Sequence, residues 1–217
     1  MVRARDEQRV AFERNDPQTG TSDIWLAQLA RGVVSRLTFH PANEELPIWS
    51  PDGNRIAFTS DREGRSDIYQ KLASGAGDEE LLLKSNTKKL TTSWSADRRL
   101  IFYTEEDHPE TKADLWFLPL DSDRKPEPYL RLPSNEYDAI ISPNGRWVAY
   151  LSDETGMLRI HVQSFPAFGG RWQISPGVGR YPQWRQDGKE LYYLSGDGKL
   201  MAVEVKTDST FEVGVSK

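Results

Sequence analysis

The sequence predicts an all-β fold, a β-propeller of four-stranded antiparallel blades. The first observation is a repeated hairpin pattern, in which an apolar strand, a polar turn and a second apolar strand follow one another. The repeats begin at residues 47, 92, 139 and 182, so they are spaced 45, 47 and 43 residues apart. They read PIWSPDGNRIAFTSD, TSWSADRRLIFYTEE, AIISPNGRWVAYLSD and PQWRQDGKELYYLSG. A period of this length, with this strand content, is typical of a propeller blade.

The second observation is a strand pattern that follows each hairpin. It reads SDIWLAQL from residue 22, SDIYQKLA from 66 and ADLWFLPL from 113, and it is weaker in LRIHVQSF from 158 and KLMAVEVK from 199. The short runs VVSRLTF, EELLLK, EPYLRL and RWQISP then supply a fourth strand. The third observation is composition, since 11% aromatic residues with 16 Gly and 13 Pro favour many short strands over helices.

These spacings divide the chain into about five blades of one propeller spanning 1–217. RVAFER from Arg9 aligns with RIAFTS from Arg55, which indicates a clipped first copy without its own first strand and turn. We expect the TFEVGV segment near the C-terminus to supply that missing strand. The first and last blades are thus expected to be incomplete. The predicted blades are 1–46 (clipped), 47–91, 92–137, 138–181 and 182–217.

An aromatic residue stands just before the turn in three of the four complete hairpins. Trp49, Trp94 and Trp184 occupy this position, and Ile141 replaces them in the remaining copy. A buried Trp contributes up to roughly 4–6 kcal/mol from its apolar area, so we expect these rings to pack between blades.

The turn residues suit a tight β-turn. Proline presets φ, an Asp or Asn side chain accepts from nearby backbone N–H groups, and glycine tolerates a positive φ. Asp97 stands in a turn with neither Pro nor Gly, so that turn is predicted to be less well fixed. Asp23, Asp67 and Asp114 recur before the third strand, which indicates a structural bond repeated in each blade. The other turn residues of the repeat are Pro51, Asp52, Gly53, Pro143, Asn144, Gly145, Asp187 and Gly188.

Composition excludes several classes of function. The chain has no Cys, so it has neither disulfides nor thiol catalysis. Its formal net charge of −5, with scattered Lys and Arg, argues against nucleic-acid binding. It contains neither an apolar run of membrane-spanning length nor a signal-peptide core at its start.

The repeated W-S-P-D-G-x-x-I-A-F and D-I-Y/W pattern resembles the TolB-like family of WD-type propeller repeats over nearly the whole chain. DPQTGTSDIWLAQLARGVVSRLTF and DGKELYYLSGDGKLMAVEVK are similar to the propeller region that follows a kinase domain in certain bacterial membrane serine/threonine kinases. This resemblance implies a six- or seven-bladed ring in the intact protein and a sensor or interaction role.

Catalytic motifs are absent from the sequence. It contains no kinase signature and no G-x-S-x-G nucleophile elbow, and no cofactor motif. His40, His108 and His161 are far apart and lack metal-ligand spacing, so structural roles are favoured. The acidic loops SDREGRSD, EEDHPETKAD and SDETG lack the ordered oxygen ligands of calcium loops and are interpreted as solvated connections.

One apolar loop stands out, FPAFGGRW at 165–172. Phe165, Phe168 and Trp172 could form an exposed binding hot spot. The favoured interpretation is that these rings close the apolar seam between blades.

The function predicted from these observations is a non-catalytic scaffold. Loops at one rim or around the central channel would bind a protein, a peptide or a small ligand. The resemblance implies the sensor domain of a larger bacterial signalling protein outside the cytoplasmic membrane, with a cytoplasmic location as the alternative. Open blade edges would also allow self-association. Two alternatives remain: an accessory propeller of a prolyl-oligopeptidase-type serine hydrolase, and a propeller-fold lyase with a His-bound metal.

Overall fold

The computed structural model describes residues 2–4, 6–84, 86–121, 123–166, 169–208 and 210–217. Over these residues the chain forms five four-stranded antiparallel sheets, each made from four successive strands. The prediction of an all-β fold with four-stranded propeller blades is confirmed. In the described part of the chain, no helix is long and apolar enough to cross a membrane.

The strands are numbered in chain order, and sheets 1 to 5 take four each. Sheet 1 contains β1 (Val2–Arg3), β2 (Arg9–Asn15), β3 (Ser22–Gln28) and β4 (Val33–Arg36); sheet 2 contains β5 (Glu44–Trp49), β6 (Arg55–Ser60), β7 (Asp67–Leu72) and β8 (Glu80–Leu83); sheet 3 contains β9 (Lys88–Trp94), β10 (Leu100–His108), β11 (Lys112–Pro119) and β12 (Glu127–Leu130); sheet 4 contains β13 (Glu136–Ile141), β14 (Trp147–Ser152), β15 (Arg159–Ser164) and β16 (Arg171–Gln173); sheet 5 contains β17 (Gly179–Trp184), β18 (Glu190–Ser195), β19 (Leu200–Lys206) and β20 (Glu212–Ser216).

Two details of the predicted ends were wrong. Sheet 1 has its own short first strand, since Val2 pairs with Ala11. The C-terminal strand β20 does not complete sheet 1, because Val213 pairs with Val205 and makes β20 the fourth strand of sheet 5. A meander that pairs each strand with its sequence neighbour keeps connections short, which favours this arrangement over an exchange of strands between the ends.

The predicted blade divisions at 47, 92, 138 and 182 fall inside the first strands of sheets 2 to 5. The recognisable motif starts at the apolar end of each of these strands, whereas the strand itself begins three or four residues earlier in most sheets. The links between sheets are 37–43, 84–87, 131–135 and 174–178.

Successive sheets pack face to face, with one apolar cluster in each of the four interfaces. Ile24 of sheet 1 packs with Phe58 of sheet 2, and Ala57 of sheet 2 lies in a cluster with Tyr103 of sheet 3. The strand Arg55–Ser60 is therefore buried on both of its faces, which explains its continuous apolar sequence. The remaining clusters join sheet 3 to sheet 4 and sheet 4 to sheet 5.

The turns between first and second strands share one backbone conformation. Gly53, Gly145 and Gly188 have φ values of +69°, +73° and +72°. Arg98 takes the equivalent place in sheet 3 with φ +68°. The sheet 3 turn, predicted to be less well fixed, keeps the same closing bond, because the Arg98 N–H donates to the Ser95 carbonyl at 2.9 Å.

Candidate functional site

The first strands of neighbouring sheets contact one another and form the inner wall of the propeller. Two Trp side chains on these strands hydrogen-bond to the preceding sheet. The Trp49 indole N–H donates to the Val2 carbonyl at 3.1 Å, and the Trp184 indole N–H donates to the Ile140 carbonyl at 2.9 Å. These bonds fix the rings of the inner wall at the turn end of the channel.

A cavity of about 310 Å³ opens at this end of the channel. It draws residues from four of the five sheets and their turns, so distant parts of the sequence meet there. We call it the channel-mouth pocket; it is lined by Ala4, Glu7, Trp94, Ala96, Ile140, Ile141, Ser142, Pro143, Gln183, Trp184 and Gln186.

The channel-mouth pocket combines apolar and aromatic side chains with polar groups in similar proportion. The Trp94 indole N–H already donates to the Arg98 carbonyl at 3.3 Å, and Trp184 is satisfied as described above. Both rings therefore offer apolar surface. Gln183 and Gln186 add amide donors and acceptors, and Glu7 brings the one formal charge of the lining residues. Such a lining suits an uncharged segment with an apolar or aromatic side chain.

The turn carboxylates and the turn amide fix the turns between the first and second strands. Asp52 accepts from the Ser50 hydroxyl at 2.7 Å and from the Asn54 N–H at 3.1 Å. These two bonds lower the pKa of Asp52 to about 2. Asp97 is held in the same way by Ser95 at 2.6 Å and by the Arg99 N–H at 3.1 Å.

The remaining two turns use different partners. In sheet 4, Asn144 Oδ1 accepts from the Ser142 hydroxyl at 2.8 Å, while its Nδ2 donates to the Thr207 carbonyl of sheet 5 at 2.7 Å. In sheet 5, the Arg185 guanidinium bonds to Asp187 at 2.7 Å and lowers its pKa to about 2. Pro51 and Pro143 are half-buried in their turns, and Pro143 also lines the channel-mouth pocket.

The recurring aspartates Asp23, Asp67 and Asp114 lie in the first residues of the third strands, not before them as predicted. All three are buried, and none lines the pocket. Asp23 contacts Arg36 at 2.6 Å, and Asp67 lies 3.9 Å from the Lys89 ammonium. Asp114 accepts from the Thr111 hydroxyl at 2.6 Å. Their contacts join strands and neighbouring sheets, which is a structural role.

Sequence reasoning missed a second repeated bond. Asn43 bonds through its backbone N–H and its side-chain amide to the carboxylate of Asp61, both at 2.8 Å. Asn135 and Asp153 repeat this contact at 2.8 and 2.7 Å in sheet 4. The signal was present in the Ser-Asp that ends two of the hairpin repeats, which the sequence analysis interpreted as part of solvated loops.

The three histidines belong to different parts of the fold. His40 lies in the link after sheet 1, His108 ends β10, and His161 is buried on β15. Burial lowers the pKa of His161 to about 4. Within the described ranges, no three His, Asp or Glu side chains form a group that could hold a metal ion.

The aromatic loop residues lie in seams between sheets. Phe165 packs against Phe102 and Phe117 with ring centroids 5.2 and 5.3 Å away, at the junction of sheets 3 and 4. Trp172 packs against Phe211 at 5.0 Å, at the junction of sheets 4 and 5. Phe168 lies outside the described residues.

The sequence profile of the TolB beta propeller domain matches residues 4–162. The chain belongs to the TolB beta-propeller family. Among solved structures, this TolB-type propeller is similar to TolB from Acinetobacter baumannii, with a TM-score of 0.75, 16% identity, and coverage of 95% of this chain and 52% of that chain. It is also similar to a putative TolB from Agrobacterium tumefaciens, with a TM-score of 0.73, 18% identity, and coverage of 95% and 80%. At these identities the likeness shows the fold.

Two curated relatives are peptidases by name. Tricorn protease homolog 1 of Streptomyces coelicolor is 29% identical over 83 residues, which are 38% of this TolB-type chain and 8% of that protein. The uncharacterized peptidase YuxL of Bacillus subtilis is 29% identical over 105 residues, 46% of this chain and 16% of that protein. The chain therefore spans a small part of the curated relatives it matches.

Proposed function

We propose that this TolB-type propeller is a non-catalytic binding scaffold, and that its channel-mouth pocket holds an extended segment of a protein partner. The observation that carries the proposal is the convergence of Trp94, Trp184 and neutral polar side chains from separate sheets on one cavity. Aromatic rings whose polar atoms are already bonded within the protein act as anchors for apolar side chains. The Gln amides can bond to the backbone of a bound segment.

The test is selection from a random linear peptide library with the wild-type protein, followed by affinity measurements on the selected peptides. Ala96→Arg places a long side chain in the pocket from a turn, and it should weaken binding by about thirtyfold or more if the pocket is a hot spot. Trp25→Ala, which removes a half-exposed ring of sheet 1 that does not line the pocket, is the control and should leave binding unchanged. Peptides that bind both variants equally well would refute the proposal.

A second candidate is an accessory propeller that controls access to a peptidase domain. The names of the two curated relatives favour it. The G-x-S-x-G elbow does not occur within the 217 residues, so a catalytic domain would have to lie elsewhere in the polypeptide. Reading the complete gene distinguishes the candidates, because an adjoining hydrolase domain supports the accessory role.

The signalling context remains a proposal from the kinase-like resemblance of the sequence. In that context the propeller is a sensor domain on the outer side of the cytoplasmic membrane, and the complete gene would encode a kinase domain. The lyase alternative is not favoured, since its three candidate histidines lie in separate parts of the fold.

A further inference from the structure

A second cavity lies between sheets 2 and 3, next to the channel-mouth pocket. Its volume is about 270 Å³, and side chains of both sheets line it. Three of the nine lining residues are arginines, so we call this cavity the arginine pocket. It is lined by Ser50, Asp52, Arg55, Gln70, Leu82, Trp94, Arg98, Leu120 and Arg124.

The three guanidinium groups use few of their donors within the described part of the chain. Arg124 donates to the Glu80 carboxylate at 2.8 Å, and Arg98 donates to the Asp52 carboxylate at 3.2 Å. Arg55 lies 3.8 Å from Glu80, which is longer than a hydrogen bond. Each guanidinium carries five N–H donors in a planar fork that matches an oxyanion. The arginine pocket therefore has donors available for a bound oxyanion.

The balance of charge in the arginine pocket is positive. Its lining side chains carry three positive charges and the negative charge of Asp52, and Glu80 adds a second negative charge beside two of the arginines. Three positive and two negative charges leave a net charge of +1, in a chain whose formal net charge is −5. This balance suits a single negative charge, such as that of a carboxylate. Leu82, Leu120 and half-buried Trp94 supply apolar walls, which reduce the screening of that charge by water.

The position of Arg98 is unusual for a large side chain. Its φ is +68°, and the three equivalent turns have glycine there. Residues held in such a sparsely populated conformation cluster at binding sites, where the function of the side chain offsets the strain. The position of Arg55 is taken by Leu100, Trp147 and Glu190 in the next three hairpins. Two arginines thus meet at these positions only where sheet 2 precedes sheet 3.

Trp94 lines both the channel-mouth pocket and the arginine pocket. Its indole N–H donates to the Arg98 carbonyl at 3.3 Å, which holds the ring beside the turn that carries Arg98. An extended peptide advances about 3.3 Å per residue. A segment whose apolar side chain rests on Trp94 can therefore place a carboxylate in the arginine pocket within about two or three residues.

We propose that the arginine pocket binds a carboxylate of the segment that the channel-mouth pocket holds. The inference rests on the proposed function, and it adds that the partner is acidic beside its apolar anchor. The carboxylate is that of an Asp or Glu side chain or that of the partner's C-terminus. Arg55 and Arg98 come from neighbouring sheets, and their forks bind the two carboxylate oxygens with charge-assisted hydrogen bonds.

The test uses three random linear peptide libraries whose random positions omit Asp and Glu. The first has a fixed Asp and an amidated C-terminus, the second replaces that Asp by Asn, and the third has the Asn with a free C-terminal carboxylate. The wild-type protein should retain peptides of the first or the third library, and the favoured library identifies the source of the carboxylate. The retained peptides should bind about tenfold more tightly than their amide counterparts, because hydrogen bonds to charged groups are the stronger ones.

Two variants and one matched control assign this preference to the arginine pocket. Arg98→Gly removes a guanidinium and gives the turn the residue of the other hairpins, and thermal unfolding verifies that it folds. Arg98→Gly and Arg55→Gln should each abolish most of the tenfold preference and leave the affinity for the amide peptides unchanged. Arg99→Gly should keep the preference, since Arg99 is 72% exposed, lies 4.0 Å from Asp97 and lines neither pocket.

The results separate this inference from the proposed function. Ala96→Met fills the channel-mouth pocket without adding charge, so it should weaken the binding of every retained peptide. Peptides that Ala96→Met weakens but that show no preference for a carboxylate overturn the inference and leave the proposed function standing. A preference that persists in both Arg98→Gly and Arg55→Gln overturns it as well.

The opposite result is equally distinct. Carboxylate peptides that depend on Arg98 but are insensitive to Ala96→Met support the arginine pocket as a carboxylate site and refute the channel-mouth pocket as the place where the segment lies. Failure to retain peptides from any of the three libraries refutes both proposals.

Discussion

The variant Arg98→Gly should be more stable to unfolding than the variant Arg99→Gly. Arg98 has φ +68°, a conformation that the equivalent turns assign to Gly53, Gly145 and Gly188. A side chain in this left-handed region costs roughly 1–2 kcal/mol, and Arg98→Gly removes that cost.

Two terms oppose the gain. Glycine makes the unfolded chain more flexible, which costs about 0.4–1 kcal/mol. The variant also loses the ion pair between Arg98 and Asp52 at 3.2 Å, whose side chains are 64% and 34% exposed. An exposed pair of this kind contributes about 0.5 kcal/mol or less. Arg99→Gly carries the same flexibility cost without relief of strain, since Arg99 is not among the residues with positive φ.

The two variants should therefore differ by about 1 kcal/mol in the free energy of unfolding, with Arg98→Gly the more stable. Thermal unfolding would show this as a difference of about 2–4 °C in Tm for a chain of this size. Gly145→Ala tests the cost of a side chain in the left-handed region in the opposite direction, and it should lower stability. No atom lies within 4 Å of the added Cβ, so only the φ of +73° opposes the substitution. The reasoning is refuted if Arg98→Gly is no more stable than Arg99→Gly, or if Gly145→Ala is as stable as the wild type.

Three further results are expected. Leu115→Ala should cost about 2–5 kcal/mol in urea unfolding, whereas Leu200→Ala, at the equivalent register position of the third strand in sheet 5, should stay within about 0.5 kcal/mol, because the first side chain is 0% and the second 70% exposed; equal losses would contradict this difference in burial. Burial raises the pKa of Glu44 from 4.5 to about 7, so its contribution to stability is full below about pH 4.5 and is lost as pH rises through about 7. Glu44→Gln should accordingly reduce the fall in unfolding free energy between pH 5 and pH 8, and an unchanged fall would exclude Glu44 as its source. Burial lowers the pKa of His161 to about 4, so NMR titration should find its ring neutral at pH 6; a ring half-protonated there would mean that β15 is more open than described.

The strands and turns of each blade were predictable from the sequence, because each position of the hairpin motif is specified by local interactions. Trp49 marks the buried end of a first strand, and Asp52 and Gly53 specify the turn through side-chain acceptance and a positive φ. The same reasoning underestimated the sheet 3 turn. Asp97, bonded to the Ser95 hydroxyl and the Arg99 N–H, helps to maintain the conformation although Arg98 replaces glycine.

The channel-mouth pocket could not be predicted from local pattern. Ala4 and Trp184 line the same cavity although 180 residues separate them in the chain. Their proximity depends on the number of sheets and on the rotation from each sheet to the next. The sequence of a single repeat does not specify either quantity.

Asn144 occupies the turn position that Asp52, Asp97 and Asp187 occupy in the other hairpins. An amide is needed there because its N–H donates to the Thr207 carbonyl. An aspartate has no hydrogen to donate there, and the Trp147 indole N–H also bonds that carbonyl, at 2.9 Å. Asparagine followed by glycine is prone to deamidation, since the unhindered glycine nitrogen can attack the side-chain amide. In Asn144-Gly145 this reaction would exchange a donor for a carboxylate facing a carbonyl oxygen. Deamidation of Asn144 would therefore remove a hydrogen bond that joins sheets 4 and 5 and weaken their junction.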